Sequence, residues 1–366
     1  MAKFRILNWL LALAAFVPAL PAVTPTAKKS VAKTATKAAP KTAAKKQASA
    51  PKAAVPVRRH VDPTEGDVTE GEDFTVRQAA VEALGNREGT IVVTEADSGR
   101  ILTVVNQKLA FKSGFQPCST VKIPVALAAL SESLVDRDTQ IRLTPRGYLK
   151  MAMTQAIATS NNDYFARLGE KLGFERVSRY ARMYGLGEKA AMDLPEEQPG
   201  ILPAEKPKEG VGMMTSFGSG ISLTPLEFAS LLGAVANGGT LYYLQYPKTQ
   251  QEAEAMIPRV KRQLDIENQI SSVRPGMMGA VEYGTAKRAG FDPNEPIYGK
   301  TGTCTDPATW KHLGWFGSFS QMGDHKLVVV VLLTGSKTFS GPVASGVAGE
   351  VYKSLGVQNS FALALD

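Results

Sequence analysis

Apolar and polar positions change period several times along this chain, and each change marks an element. Between about Thr75 and Leu84 the apolar residues fall on one helical face. "GTIVVTEADSGRILTVVN" then carries two β-rich runs, Ile91–Thr94 and Ile101–Val105, with Asp97-Ser98-Gly99 between them, and reads as a hairpin. From about Thr120 a helical stripe comprises Ile123, Leu127, Leu130 and Leu134. Residues 135–240 hold several short helical patterns. The clearest is "LTPLEFASLLGAVANGG", where Thr224 caps, Pro225 takes the first helical position, Glu227 completes a capping box, and Gly238-Gly239 ends the run. Late in the chain "LGWFGSFS" (313–320) and "KLVVVVLLTG" (326–335) read as strands, followed by an amphipathic helix over about 342–355. Strand pair, helices, strands and helix predict one mixed α/β body of the α+β type with a helical insertion. No repeat recurs at a fixed period.

Composition changes the picture mainly at the N-terminus. The 366 residues are 44% apolar and 21% charged, ordinary for a globular chain, with a formal net charge of +8. That charge is unevenly placed. Twelve of the 42 basic residues lie in positions 1–60, which hold no acid; the rest carries 30 basic against 34 acidic residues. The body is therefore slightly acidic, which argues against a nucleic-acid partner. Residues 1–22 read as an export signal: Lys3 and Arg5, then a mostly apolar stretch broken by Pro18 and Pro21, then the small Ala22. An uncleaved anchor is the alternative, and either reading puts the body outside the cytoplasm. Residues 23–64, rich in Lys, Ala, Thr and Pro, cannot bury enough apolar surface to fold and are expected to be disordered. They act either as a solvated spacer or as a tether to an anionic membrane or wall surface. The globular body is expected over 65–366.

Candidate chemistry begins with "YGKTGTC", residues 298–304. Its Gly-Lys-Thr invites a phosphate-loop reading, but the position where that loop needs its first glycine holds Asn294. Metal sites fare no better, because His60, His312, His325, Cys118 and Cys304 show no ligand spacing. No G-x-S-x-G elbow supports a Ser-His-Asp triad. Two further clusters remain. In "PCSTVKIPVALAAL", Ser119 and Lys122 stand three apart, on one face if a helix starts there. A serine hydroxyl needs a base, and a lysine can be that base if burial or a neighbouring cation lowers its pKa. In "ATSNNDYF", Ser160 and Asn162 lie between two helical stretches. Alone, the first is an ordinary helix cap with a surface lysine, and the second a polar loop.

Together, Ser-x-x-Lys, Ser-x-Asn and Lys-Thr-Gly-Thr, in that order, form the triple of penicillin-interacting serine enzymes. The sequence resembles the penicillin-binding protein and serine β-lactamase superfamily over about residues 75–358, and "MDLPEEQPGILP" and "SFGSGISLTPLEFASLLGAVANGGTL" resemble peptidoglycan transpeptidase segments. The resemblance implies an antiparallel sheet flanked by helices with a mostly helical subdomain. It implies Ser119 as the acylated nucleophile, Lys122 as its base and Ser160 as proton relay. It implies Asn162 as a hydrogen-bond partner of the substrate amide. Lys300, Thr301 and Thr303 would hold the substrate carboxylate, and Gly302 would permit close approach of the ligand. Backbone N–H groups of Ser119 and Thr303 would form an oxyanion hole. The substrates implied are D-Ala-D-Ala stem peptides and β-lactams, with no cofactor or metal.

Within the superfamily, a transpeptidase is the leading reading. No E-x-x-L-N run lies between the second and third clusters, Asn162 stands where one β-lactamase class has Val, and 140 residues separate Ser160 from Lys300. However, "STVKIPVALAAL" resembles the nucleophile helix of that class. A β-lactamase or D,D-carboxypeptidase stays open, as does a non-catalytic β-lactam sensor or wall-binding scaffold. Cys118 and Cys304 stand where some carbapenem-hydrolysing β-lactamases form a disulfide, so the resemblance implies a Cys118–Cys304 bridge; two buried free thiols are the alternative.

Overall fold

The computed structural model describes residues 62–358 except 113, 145–147 and 308. The signal, the basic segment to residue 61 and His60 lie outside the described residues. A five-stranded sheet is built from β1 (Gly89–Glu95), β2 (Ile101–Val105), β3 (Tyr298–Thr305), β4 (His312–Met322) and β5 (His325–Gly335). Its order is β2-β1-β5-β4-β3, and every neighbouring pair is antiparallel. Segments more than 230 residues apart meet where β1 pairs with β5 over seven residue pairs, Gly89↔Leu333 to Glu95↔Leu327.

The apolar run of β5 explains why the sheet is covered on both faces. Val328, Val330 and Leu332 join one core cluster, while Leu327, Val329, Val331 and Leu333 join the other. Alternation at period two sends both sets inward, so two apolar layers must exist. On one face lie α1 (Phe74–Leu84) and α7 (Gly341–Gln358), through Val76, Leu84, Val347 and Val351. On the other lies the larger helical part: α2 (Lys122–Ser131), α3 (Met153–Ala158), α4 (Asn162–Leu172), α5 (Pro225–Asn237) and α6 (Glu267–Glu282). Helix α5 has the expected cap: Thr224 Oγ1 accepts from the Glu227 N–H at 3.0 Å, and Glu227 returns the bond to the Thr224 N–H at 2.8 Å.

One helix is shorter than the sequence reading has it, and another was not assigned by it. Helix α2 ends at Ser131, so Leu134 packs on the core from the following turn, where Ser133 has φ 53°. Helix α6 carries Pro275 in its interior and Gly276 and Gly279 beside it, which blunts any helical signal. It forms because it packs closely on α3: a Cβ at Gly276 would lie 2.7 Å from the Cβ of Ile157.

Candidate active site

The turn that carries Ser119 precedes α2. Residues Cys118–Val121 form one turn of 3₁₀ helix, and Lys122 opens the α-helix. That turn is held from both sides. Trp315 on β4 donates its indole N–H to the Gln116 carbonyl at 3.0 Å, and Thr120 Oγ1 donates to the Pro117 carbonyl at 2.7 Å. Ser119 and Lys122 therefore share one face, with Lys122 Nζ 2.7 Å from Ser119 Oγ.

Lys122 is fully buried, and burial lowers its pKa from 10.5 to about 7. Its amine also reaches the Ser160 carbonyl at 3.0 Å, Ser160 Oγ at 3.3 Å and Asn162 Oδ1 at 2.6 Å. Such a lysine can take a proton from a hydroxyl near neutral pH, which an exposed lysine cannot.

The Ser160 loop links α3 to α4. Ser160 has φ 56°, a left-handed conformation that non-glycine residues adopt at a cost. The bend turns Oγ toward both lysines. Asn161, the middle residue of the motif, caps α4 by accepting the Tyr164 N–H at 2.8 Å, and so fixes where the loop stops.

Strand β3 supplies the opposite wall. Lys300 is fully buried, with Nζ 2.8 Å from Ser160 Oγ and 2.9 Å from the Thr301 carbonyl. Burial first, and the Lys122 cation second, hold its pKa well below the ordinary lysine value. Ser160 Oγ thus stands between two amines, a position suited to passing protons. Alternation along β3 puts Thr301 and Thr303 on the other side of the strand from Lys300. Thr303 is exposed, and its Oγ1 accepts the N–H of Gly341, the first residue of α7, at 2.8 Å. Gly302 sits against the Ser119 turn: a Cβ there would lie 2.9 Å from the Pro117 carbonyl oxygen and 3.1 Å from Thr120 Cγ2. Close packing of strand on turn accounts for this glycine, in addition to any approach by a ligand.

Cys118 and Cys304 are joined in a disulfide, with Cα atoms 5.6 Å apart. The bridge ties the residue before Ser119 to the residue after Thr303. These contacts bring together the ten candidate site residues of the three motifs and the two cysteines. Two neighbours of these residues were not legible in the sequence, Gly341 beside Thr303 and Thr285, whose Oγ1 lies 2.6 Å from Thr301 Oγ1, because nothing near either in sequence marks it; each is brought in by packing.

A family model described as "Penicillin binding protein transpeptidase domain" matches residues 89–353, well over half of the chain. The chain belongs to this penicillin-binding protein family. Among curated relatives, Stage V sporulation protein D of Bacillus subtilis (strain 168) is 31% identical over 281 residues, covering 69% of this chain and 43% of that protein. The peptidoglycan D,D-transpeptidase MrdA of Acinetobacter baumannii is 24% identical over 313 residues, covering 68% of this chain and 46% of that protein. The chain spans less than half the length of these two relatives. The transpeptidase domain of Burkholderia pseudomallei penicillin-binding protein 3 superposes with a TM-score of 0.66 at 19% identity, covering 80% of this chain and 94% of that one. It shares the fold: an antiparallel sheet between helices, with a mostly helical part beside it.

Proposed function

We propose that this penicillin-binding protein is a serine D,D-transpeptidase. It would transfer the acyl group of a D-Ala-D-Ala stem peptide to an amine through an acyl-enzyme on Ser119. The observation that carries this reading is the buried Lys122 amine, 2.7 Å from Ser119 Oγ, with its pKa lowered to about 7. Ser119 Oγ attacks the carbonyl of the penultimate D-Ala, and its proton passes to Lys122 Nζ. The tetrahedral oxyanion accepts from the Ser119 and Thr303 backbone N–H groups. Collapse breaks the C–N bond, and Ser160 relays the proton to the leaving D-Ala nitrogen. An acceptor amine then attacks the ester, loses a proton through the same relay, and returns the hydroxyl to Ser119. The hydroxyls of Thr301 and Thr303 hold the terminal carboxylate; Lys300, on the other side of β3 with Nζ 2.8 Å from Ser160 Oγ, serves the proton relay rather than that carboxylate, and Asn162 meets the substrate amide. A β-lactam enters by the same first step. The export signal fits such work outside the cytoplasm, at the wall, with the basic segment as tether.

Intact mass during a time course with a β-lactam tests this reading. A persistent adduct on Ser119, absent in Ser119→Ala, is expected, followed by crosslinking of stem peptides in a cell-free assay. Rapid turnover without an adduct would make the protein a β-lactamase. An adduct without crosslinking would favour a carboxypeptidase or a sensor. Neither adduct nor turnover would refute the acyl-serine proposal.

A further inference from the structure

The turn after α6 bridges the end of α3 and strand β3. A Cβ at Gly284 would sit 2.1 Å from the Ala158 carbonyl oxygen, two residues before Ser160, and the Thr285 N–H donates to that carbonyl at 3.2 Å. From this anchored backbone the Thr285 side chain reaches across to β3, where its Oγ1 lies 2.6 Å from Thr301 Oγ1. Thr285 is partly exposed, whereas Thr301 is 3% exposed.

The hydrogen count gives this contact a direction. A carboxylate only accepts, so a threonine that binds it must spend its one hydroxyl proton there. The Thr301 oxygen must then accept from Thr285. The neighbouring hydroxyl is arranged in the same way: Thr303 Oγ1 accepts the Gly341 N–H at 2.8 Å, which leaves its proton free for a ligand. The hydroxyls of Thr301 and Thr303 thus each have a donor behind them, one from the turn after α6 and one from α7. Preorganised donors need no reorientation when an anion arrives.

We propose that Thr285 is a positioning residue, orienting the Thr301 hydroxyl toward the carboxylate of the bound acyl donor. The proposal rests on the acyl-serine reading above and adds a fourth segment, 284–286, to the three motifs. It predicts an effect specific to anionic ligands. Acylation rates of the full chain are measured for benzylpenicillin and for its methyl ester, with Thr285→Val and Thr285→Ser. Thr285→Val removes one oriented hydrogen bond and is expected to slow the free acid by about five- to tenfold, with the ester changed by less than about twofold. Thr285→Ser keeps the hydroxyl and restores the parental rate with both probes. The ratio between probes is independent of how much protein is folded. Equal rates for Thr285→Val and the parent, equal losses with acid and ester, or a Thr285→Ser as slow as Thr285→Val would overturn the positioning role alone. Absence of any adduct on the unsubstituted chain would overturn the acyl-serine reading and this role with it.

Discussion

Removing the Cys118–Cys304 bridge separates two effects that the structure superimposes. The bond closes a loop between residues 186 apart, so most of its stabilisation is expected from restricting the unfolded chain. The chain-entropy relation gives about 5 kcal/mol for a loop of this length, and measured bridges usually return about 2–4 kcal/mol. At roughly 2 °C per kcal/mol in a body of this size, Cys118→Ala/Cys304→Ala should melt about 4–10 °C lower. The second effect is local. Cys118 and Cys304 flank Ser119 and Thr303, whose N–H groups are the proposed oxyanion donors. A misplacement of about 1 Å at such a site costs on the order of 100-fold. Strand β3 still pairs with β4 at eight positions, from Tyr298↔Phe319 to Thr305↔His312, so it cannot drift freely. We therefore expect acylation slower by about tenfold, measured by stopped-flow with a fluorescent penicillin at a temperature where the variant is fully folded. Reduction of the parental protein should reproduce both changes, and reoxidation should reverse them. An unchanged melting midpoint would refute the stapling argument. A lowered midpoint with unchanged acylation would refute the positional one.

Other consequences can be checked independently. Acylation should rise with pH through about 7, because Lys122 accepts a proton only when neutral and burial lowers its pKa to about 7 from 10.5; below the inflection the rate should fall about tenfold per pH unit. A flat profile from pH 5.5 to 9, or an inflection near 10, would remove Lys122 as the base. Gly302→Ala should slow acylation at least about tenfold, since its Cβ would meet the Pro117 carbonyl at 2.9 Å and push β3 off the nucleophile turn; an unaffected rate would show that the strand can yield. Glu227→Ala should destabilise the fold by about 3 kcal/mol, read from the urea midpoint, because the buried carboxylate accepts from the Gly187, Gly200 and Thr224 N–H groups and truncation strands all three. A loss below about 1 kcal/mol would mean that water replaces it.

What could be read from the sequence was what local physics controls. The β-rich apolar run in "KLVVVVLLTG" and the Gly238-Gly239 stop after a capped helix depend on neighbours a few residues away, and both appear where expected. The three motifs were legible because chemistry restricts which residue types can serve, although their meeting in one cleft came from resemblance. Helix α6 was not legible: Pro275, Gly276 and Gly279 speak against a helix, and tertiary packing reverses them, through the fit of Gly276 against Ile157 and the burial of Ile270, Val273 and Met277.

The sequence by itself determined the inventory of candidate site residues, the strand and helix periods, and the two cysteines able to pair. Tertiary structure decided the state of that inventory. Lys122 is a base candidate because the core removes water from its amine, and no residue beside it in sequence does so. Ser160 stands between two lysines because a left-handed bend turns it there. Thr285 reaches Thr301, 16 residues later, because the turn after α6 is wedged against the end of α3. Burial, bend and wedge are each sums over residues distant in sequence.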